Sequence, residues 1–589
     1  MATGFLPFTG ETTGGVFEAI LHREPTEAVR LNTALPAELQ RIIDKAMEKD
    51  RDLRYLTAAD LRADLKRLKR DTESGRNVAA GLVPGVAPAQ RGRPFSAPLR
   101  KPWIMALSVG ALPALLAILF VFNVAGLRDR LLRRGAPLPK IESIAVLPLT
   151  NLSGDPQQEY FADGMTEELI TSLAKIRKLR VTSRTSVMPY RDSRKSVRKI
   201  GEELNVDALL EGSVQRSGDR VRINAQLIRA ADDAHVWADS YDRDLRDVLV
   251  LESEVARAIA KQIQAELTPA EQMRLNSPSQ VDPESYQLYL RGLHAWNQGP
   301  GEGAATSQKY FQQAIAIDPK FAQAYAWLAF GHNLNSEYQL AKAPARRALE
   351  LDDSLSIAHA ALAFAVYRGD WDFATAEREF ERALELSPND PVALHTYALY
   401  LDTLGRDDEA IAKMRDALEV DPLSPLTNAN LASLYVNVGR YHEAILQAKT
   451  ALEIDPNFAP AHNILGVVYE LQGQFENAAT EYRKVSNTLG EEFVRVRMAH
   501  LYASEGRRRE AVELVQQLRS AKVRFLNVPY ECARTYARLG EKDQAFALLE
   551  QAYHDHAEDL LSLKTDPDFT GFRSDPRFQD LMRRMNFPK

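Results

Sequence analysis

Residues 383–422 read ALELSPNDPVALHTYALYLDTLGRDDEAIAKMRDALEVDP, and the phrase that opens this stretch nearly returns at its end. Pro388, Pro422 and Pro456 recur every 34 residues, and Pro319 and Asp353 extend the series upstream. Gly405, Gly439, Gly473, Gly506 and Gly540 form a second series, and Ala376, Ala410, Ala444, Ala478, Ala511 and Ala545 a third. Each glycine falls between two stretches of helical spacing, where a tight turn needs an unrestricted backbone. The alanines let paired helices approach closely. The prolines and acids end one helix pair and start the next. A fixed period of this length marks an array of stacked units.

This is the tetratricopeptide repeat pattern, spanning residues 283–559 in eight units that begin near Leu288, Ala322, Ile357, Pro391, Pro425, Ala459, Glu492 and Leu526. The first unit is irregular, with GPGEG spreading its turn. The resemblance implies an all-α superhelix whose first helices line a concave face suited to a protein or peptide partner. The matching positions include Ala361, Arg368, His395, Asp402, Ala429, Ser433, Asn463 and Glu470. Among them Arg368, His395, Asp402, Asn463 and Glu470 are the candidate partner-binding residues, and the four that carry charge or an imidazole suit fixing a partner's register. The tail, residues 560–589, resembles the closing segment of similar repeat proteins and is expected to cover the apolar end of the stack.

Upstream, residues 141–268 read as α/β. IESIAVLPL has strand length, DGMTEELITSLAKI helical spacing with Asp163 as cap, and RSGD a tight turn into RVRINAQLIRA. There Val221, Ile223, Ala225 and Leu227 alternate with polar residues, the pattern of a hairpin with one buried face. The pieces IAVLPLTNLSGDP, YFADGMTEELITSL, LEGSVQRSGDRVRINAQL and HVWADSYDRDL resemble the TolB-like domain. That family implies no catalytic residues, and Asp163, Glu167 and Glu168 read as a cap and first-turn acids favoured by the helix dipole.

Residues 103–127, WIMALSVGALPALLAILFVFNVAGL, contain no charged side chain and are flanked by basic residues. About 20 apolar residues suffice to cross a ~30 Å hydrocarbon core, so this run reads as a single transmembrane helix in contact with the lipid bilayer. Residues 73–102 are a Gly-, Pro- and Ala-rich stretch that reads as a disordered linker. Residues 1–72 show helical spacing, and GFLPFTGET followed by LPAELQRIIDKAMEKDRDLRYLTAADLRADLKRL resembles the last third of a bacterial serine/threonine kinase. The glycine-rich loop, strand lysine, HRD-type loop and DFG-type ligand do not precede Met1, which leaves Arg54 without the glutamate it pairs with in such kinases. The segment therefore reads as a kinase C-lobe remnant, or Met1 as an internal methionine of a longer kinase.

The expected fold is thus multidomain: a helical kinase-lobe remnant, one transmembrane helix, an α/β TolB-like domain and a tetratricopeptide superhelix. The expected place is the bacterial inner membrane, N-terminus cytoplasmic and C-terminal domains periplasmic. Formal net charge is −6, with 26% charged residues, which argues against a nucleic-acid partner. Cys532 is the only cysteine, so no internal disulfide or cysteine metal cluster is possible. No nucleophile–base arrangement, metal spacing or cofactor motif stands out. The sequence reads as a membrane-anchored protein-binding scaffold or sensor without catalysis of its own. The alternative is the membrane and sensory half of a kinase whose catalytic part lies outside this sequence.

Overall fold

The computed structural model describes residues 37–47, 64, 140–276, 281–297, 302–520 and 527–588. The chain divides into two compact units, residues 1–135 and 136–589. In the first, the described part is essentially one helix, Ala37–Met47, with Ile42 buried. Residues 103–127, read from the sequence as a transmembrane helix, residues 73–102, read as a linker, and most of the kinase-like segment lie outside the described residues.

The membrane reading is corrected. Among the described residues no helix is long and apolar enough to cross a membrane. The longest, Glu159–Ala174 and Glu302–Ile317, have 16 residues, short of the roughly 20 a span requires. The single-pass fold and the inner-membrane location with periplasmic domains are not carried further. The described chain is mostly helical: a mixed-sheet domain followed by a tetratricopeptide superhelix.

The sheet is built from β1 (Ser143–Val146), β2 (Thr150–Asn151), β3 (Arg180–Val181), β4 (Ala208–Ser217), β5 (Arg220–Arg229) and β6 (Ala234–Asp244). Its order is β3-β1-β4-β5-β6, with β2 also pairing β4. The β1, β2 and β3 pairings are parallel, while β4–β5 and β5–β6 are antiparallel. Leu210 faces Leu227 and Val214 faces Ile223, so the alternation in β5 becomes one buried row. Helices α1 (Glu159–Ala174) and α3 (Val248–Gln262) pack on the sheet, and α2 (Val197–Leu204) connects β3 to β4. Helix α1 starts five residues earlier than its sequence suggests, with Gln158 in the cap position. Asp163 therefore lies inside the helix, buried, and is not its cap.

Eight helix pairs follow, from Pro283–Trp296 with Glu302–Ile317 to Val528–Arg538 with Lys542–His554. Their local logic matches the three series. All six alanines are fully buried between paired helices. Gly405, Gly439, Gly473, Gly506 and Gly540 have φ between 70° and 76°, the left-handed region that side chains disfavour. Asp390 and Ser424 cap the inner helices of the fourth and fifth repeats, each followed by proline at the first helical position. In the sixth repeat a Cβ on Gly466 would lie 2.4 Å from the Tyr482 ring, so the inner and outer helices close only over glycine.

Candidate functional site

The inner helices of the fourth repeat (Pro391–Thr403), fifth (Pro425–Asn437) and sixth (Ala459–Leu471) carry four of the candidate residues. His395 accepts at Nε2 from the Asn430 amide, 2.9 Å away, and its Nδ1 lies 3.2 Å from the Thr427 hydroxyl. That network assigns the ring proton to Nδ1. Burial pushes the imidazole down to about 4, so it is neutral at physiological pH. Two turns further along, Asp402 accepts from Asn437 Nδ2 at 2.9 Å, and burial pushes its carboxyl up to about 6. The fourth and fifth inner helices are thus laced by three side-chain bonds. In the sixth, Asn463 Oδ1 is buried without a hydrogen-bond partner among the described residues.

Glu470, the fourth of these, and Arg368 are held by contacts from other parts of the chain. Glu470 is buried, accepting from Tyr482 (2.7 Å), Ser504 (2.7 Å) and Arg538. Arg368, on the third inner helix (Ser356–Asp370), stacks its guanidinium 4.5 Å from the Phe364 ring and pairs with Glu558. Ala361 and Ala429 are fully buried between helices, while Ser433 stays half-buried on the inner side.

Two contacts that sequence reasoning missed flank this face. One joins the sheet domain to the array. Tyr289 donates to Glu168 at 2.6 Å, and Tyr286 donates to Glu252 at 2.6 Å, all four being buried. Burial raises both carboxyls, and for Glu252 the neighbouring Glu168 adds to it. Next to them Glu167 is pushed by burial up to about 7 against the opposing pull of Arg184. Burial also works against the charge on Asp163, but hydrogen bonds from His294 and Arg191 prevail and hold it below its ordinary range. The domain then follows the loops between repeats. Asn389 donates to the Leu179 carbonyl at 3.1 Å, Ser183 N–H to Val420 at 2.7 Å, and Ser186 to Asp421 at 2.7 Å. Tyr286 and Tyr289, three residues apart on one helical face, were the available signal.

The other contact lies on the opposite rim, at the turns inside repeats, where the C-terminal segment meets the second and third. Glu558 accepts from Ser336 at 3.1 Å and from Tyr338, besides its pair with Arg368. His556 stacks on Trp371 with centroids 4.0 Å apart and planes 14° from parallel, and Tyr553 lies 5.4 Å from the same ring. Phe373 packs against Phe587 at 4.9 Å. The tail also caps the last repeat, as Arg534 and Arg538 pair with Asp568 and bury Phe569 and Phe572 beside them. It therefore covers the end of the stack and reaches across to its early members as well.

Ser336 and Trp371 hold the place in their repeats that glycine holds in the later ones, and both have positive φ, 60° and 54°. His556 across from them has φ 52°. Left-handed backbone at such residues costs about 1–3 kcal/mol each and persists only where surrounding contacts impose it. The glycine series is thus broken at the two turns that touch residues 556–558.

An open cleft of about 710 Å³ runs over the sheet, lined by Glu211, Ser213, Asn224, Gln226 and Ser240 among others. Among the described residues no group of three or more His, Cys, Asp or Glu side chains is placed to hold a metal ion.

Comparison with known families agrees with this division. Residues 140–258 match the family described as HilA/YgeH-like transcriptional regulator, second domain; a TolB-like likeness is not shown. Residues 365–425 and 430–486 match a tetratricopeptide repeat family. The chain is 42% identical over 192 residues to a protein of Rhizobium meliloti (strain 1021) named putative adenylate cyclase 3. That match spans 33% of this chain and 33% of the relative, so the chain covers about a third of the relative's length. Among solved structures, Pseudomonas aeruginosa pilF is 22% identical, covering 34% of this chain and 90% of that one, with a TM-score of 0.29. YrrB, titled a tetratricopeptide protein with an unusual peptide-binding site, is 23% identical, covering 31% and 94%, with a TM-score of 0.25. TM-scores this low carry no argument beyond themselves. What stands is that the chain carries tetratricopeptide repeats of the protein-binding scaffold type behind a HilA-like domain.

Proposed function

We propose that a protein segment binds along the inner helices of the fourth to sixth repeats, between the docked sheet domain on one rim and the C-terminal segment on the other. The observation that carries this reading is Asn463. Its Oδ1 is buried with no partner among the described residues, in line with the His395–Asn430 and Asp402–Asn437 bonds of the preceding repeats. A buried acceptor left unmade costs free energy that an incoming backbone N–H recovers. His395 is neutral there and Asp402 retains an unpaired carboxylate oxygen among the bonds described, so the strip offers mainly hydrogen bonds, with register set by one acid.

The test is site-specific photo-crosslinking in the full-length chain. A photoreactive residue at Ser433, on the inner side, is expected to capture a discrete partner, and one at Leu446, exposed on the outer helix of the same repeat, is not. Asp402→Lys combined with Asn463→Ala should abolish the Ser433 product while leaving helix content unchanged. Capture from Leu446 alone, or a Ser433 product indifferent to the double substitution, defeats the reading.

A further inference from the structure

We infer that the rim formed by the second and third repeats is a second docking surface, for an acidic peptide with a planar ring two residues ahead of a glutamate, and that residues 556–558 occupy it as an internal stand-in. The inference rests on the array being protein-binding. Its argument is the construction of the contact. Three donors from separate positions, Ser336, Tyr338 and Arg368, converge on one carboxylate, that of Glu558. Beside them Trp371 presents the face on which His556 stacks. A carboxylate needs no such convergence merely to terminate a repeat array, and the later repeats turn on glycine without any of it.

Two features mark the occupancy as exchangeable. The Trp371 indole N–H is buried and has no acceptor among the described residues, so the present occupant leaves the surface incompletely satisfied. The Glu558 side chain keeps 34% of its exposure and that of Arg368 18%, so water reaches the ion pair and a competing carboxylate can as well. The stand-in holds its place because it is tethered, which gives it a high effective concentration. A partner that brings the ring, the acid and one carbonyl for the indole N–H makes every bond the internal segment makes and one more.

The experiment uses the full-length chain and a fluorescent peptide copying residues 551–562, QAYHDHAEDLLS. Wild type is expected to bind it weakly, because the site is filled. Glu558→Lys, with Glu558→Gln as the milder variant, empties the site and should tighten binding at least tenfold, with circular dichroism unchanged. Adding Arg368→Glu to either should return binding to background, and a peptide whose glutamate is replaced by glutamine should fail on all variants. No gain on either Glu558 variant overturns the inference, as does a gain that survives Arg368→Glu. Crosslinking through Ser433 persists if this inference alone is wrong and disappears if the scaffold reading is wrong, so the two failures are told apart.

Discussion

The sheet-domain junction and the C-terminal clasp both tie distant parts of the chain to the repeat array, and they are made of opposite materials. At the junction, Glu168 and Glu252 are buried with tyrosine hydroxyls as partners, and burial favours their protonated forms. At the clasp, an arginine and a glutamate meet partly in water beside a stack of two rings. A contact that excludes water this fully holds by packing and breaks only at large cost. A partly exposed ion pair contributes less and gives way more readily. The chain thus has one joint sealed by packing and one whose ion pair stays partly open to water.

The sharpest way to break the comparison is at the sealed joint. Tyr289→Ala removes a fully buried ring and strands the Glu168 carboxyl, and should cost about 3–5 kcal/mol. It is expected to loosen the sheet domain, seen as faster hydrogen exchange in α1 (Glu159–Ala174) and in the first inner helix (Pro283–Trp296). A loss below about 1 kcal/mol would mean that the domain is held elsewhere.

The next effect is on pH. A carboxyl whose folded pKa is raised contributes stability that is fully present below its unfolded value and lost as pH rises through the folded one. Glu167 rises from 4.5 to about 7, and Glu168 and Glu252 shift the same way. The junction should therefore weaken between about pH 4.5 and 7, by an amount on the order of 1–3 kcal/mol. Asp163, held low by His294 and Arg191, acts oppositely, and its contribution fades only as pH falls through its depressed value. Glu252→Gln keeps an acceptor for Tyr286 and should flatten the decline, read from denaturation midpoints across that range. An unchanged slope would place the titration outside the junction.

The smallest effect belongs to the clasp. Glu558→Gln should cost no more than about 1 kcal/mol of global stability, since both partners keep some exposure. Hydrogen exchange at residues 336–338 and 368–371 should nonetheless quicken. A loss as large as that of Tyr289→Ala would make the two contacts alike and remove the distinction.

The repeats were legible because each one is closed by neighbours a few residues away, so period, turn glycine and packing alanine all leave local traces. Ala376 and Gly405 announce their roles by spacing alone. The β4–β5 hairpin was legible for the same reason. The two ties were not, because Glu168 meets Tyr289 across 121 residues and Tyr338 meets Glu558 across 220. No periodicity connects such positions. Glu167 and Glu168 looked like ordinary acids near a helix start because the helix itself begins earlier. Arg368 and Glu470 were placed on the inner helices by their offset in the repeat, but nothing in the pattern told that Glu558 and Arg538 would reach them. One trace was present: the glycine series fails at Ser336 and Trp371, the two turns the tail engages.

The contact between the third repeat and the end of the eighth changes how the array carries a load. An open stack of repeats behaves as a spring, each joint yielding to its neighbours alone. Once Trp371 and His556 are stacked, the repeats between them form a hoop, and a push on any one is shared around the loop through both sides. Opening that catch, together with the Arg368–Glu558 and Phe373–Phe587 contacts beside it, would turn the hoop back into a spring, so this rim bears on the stiffness of the array.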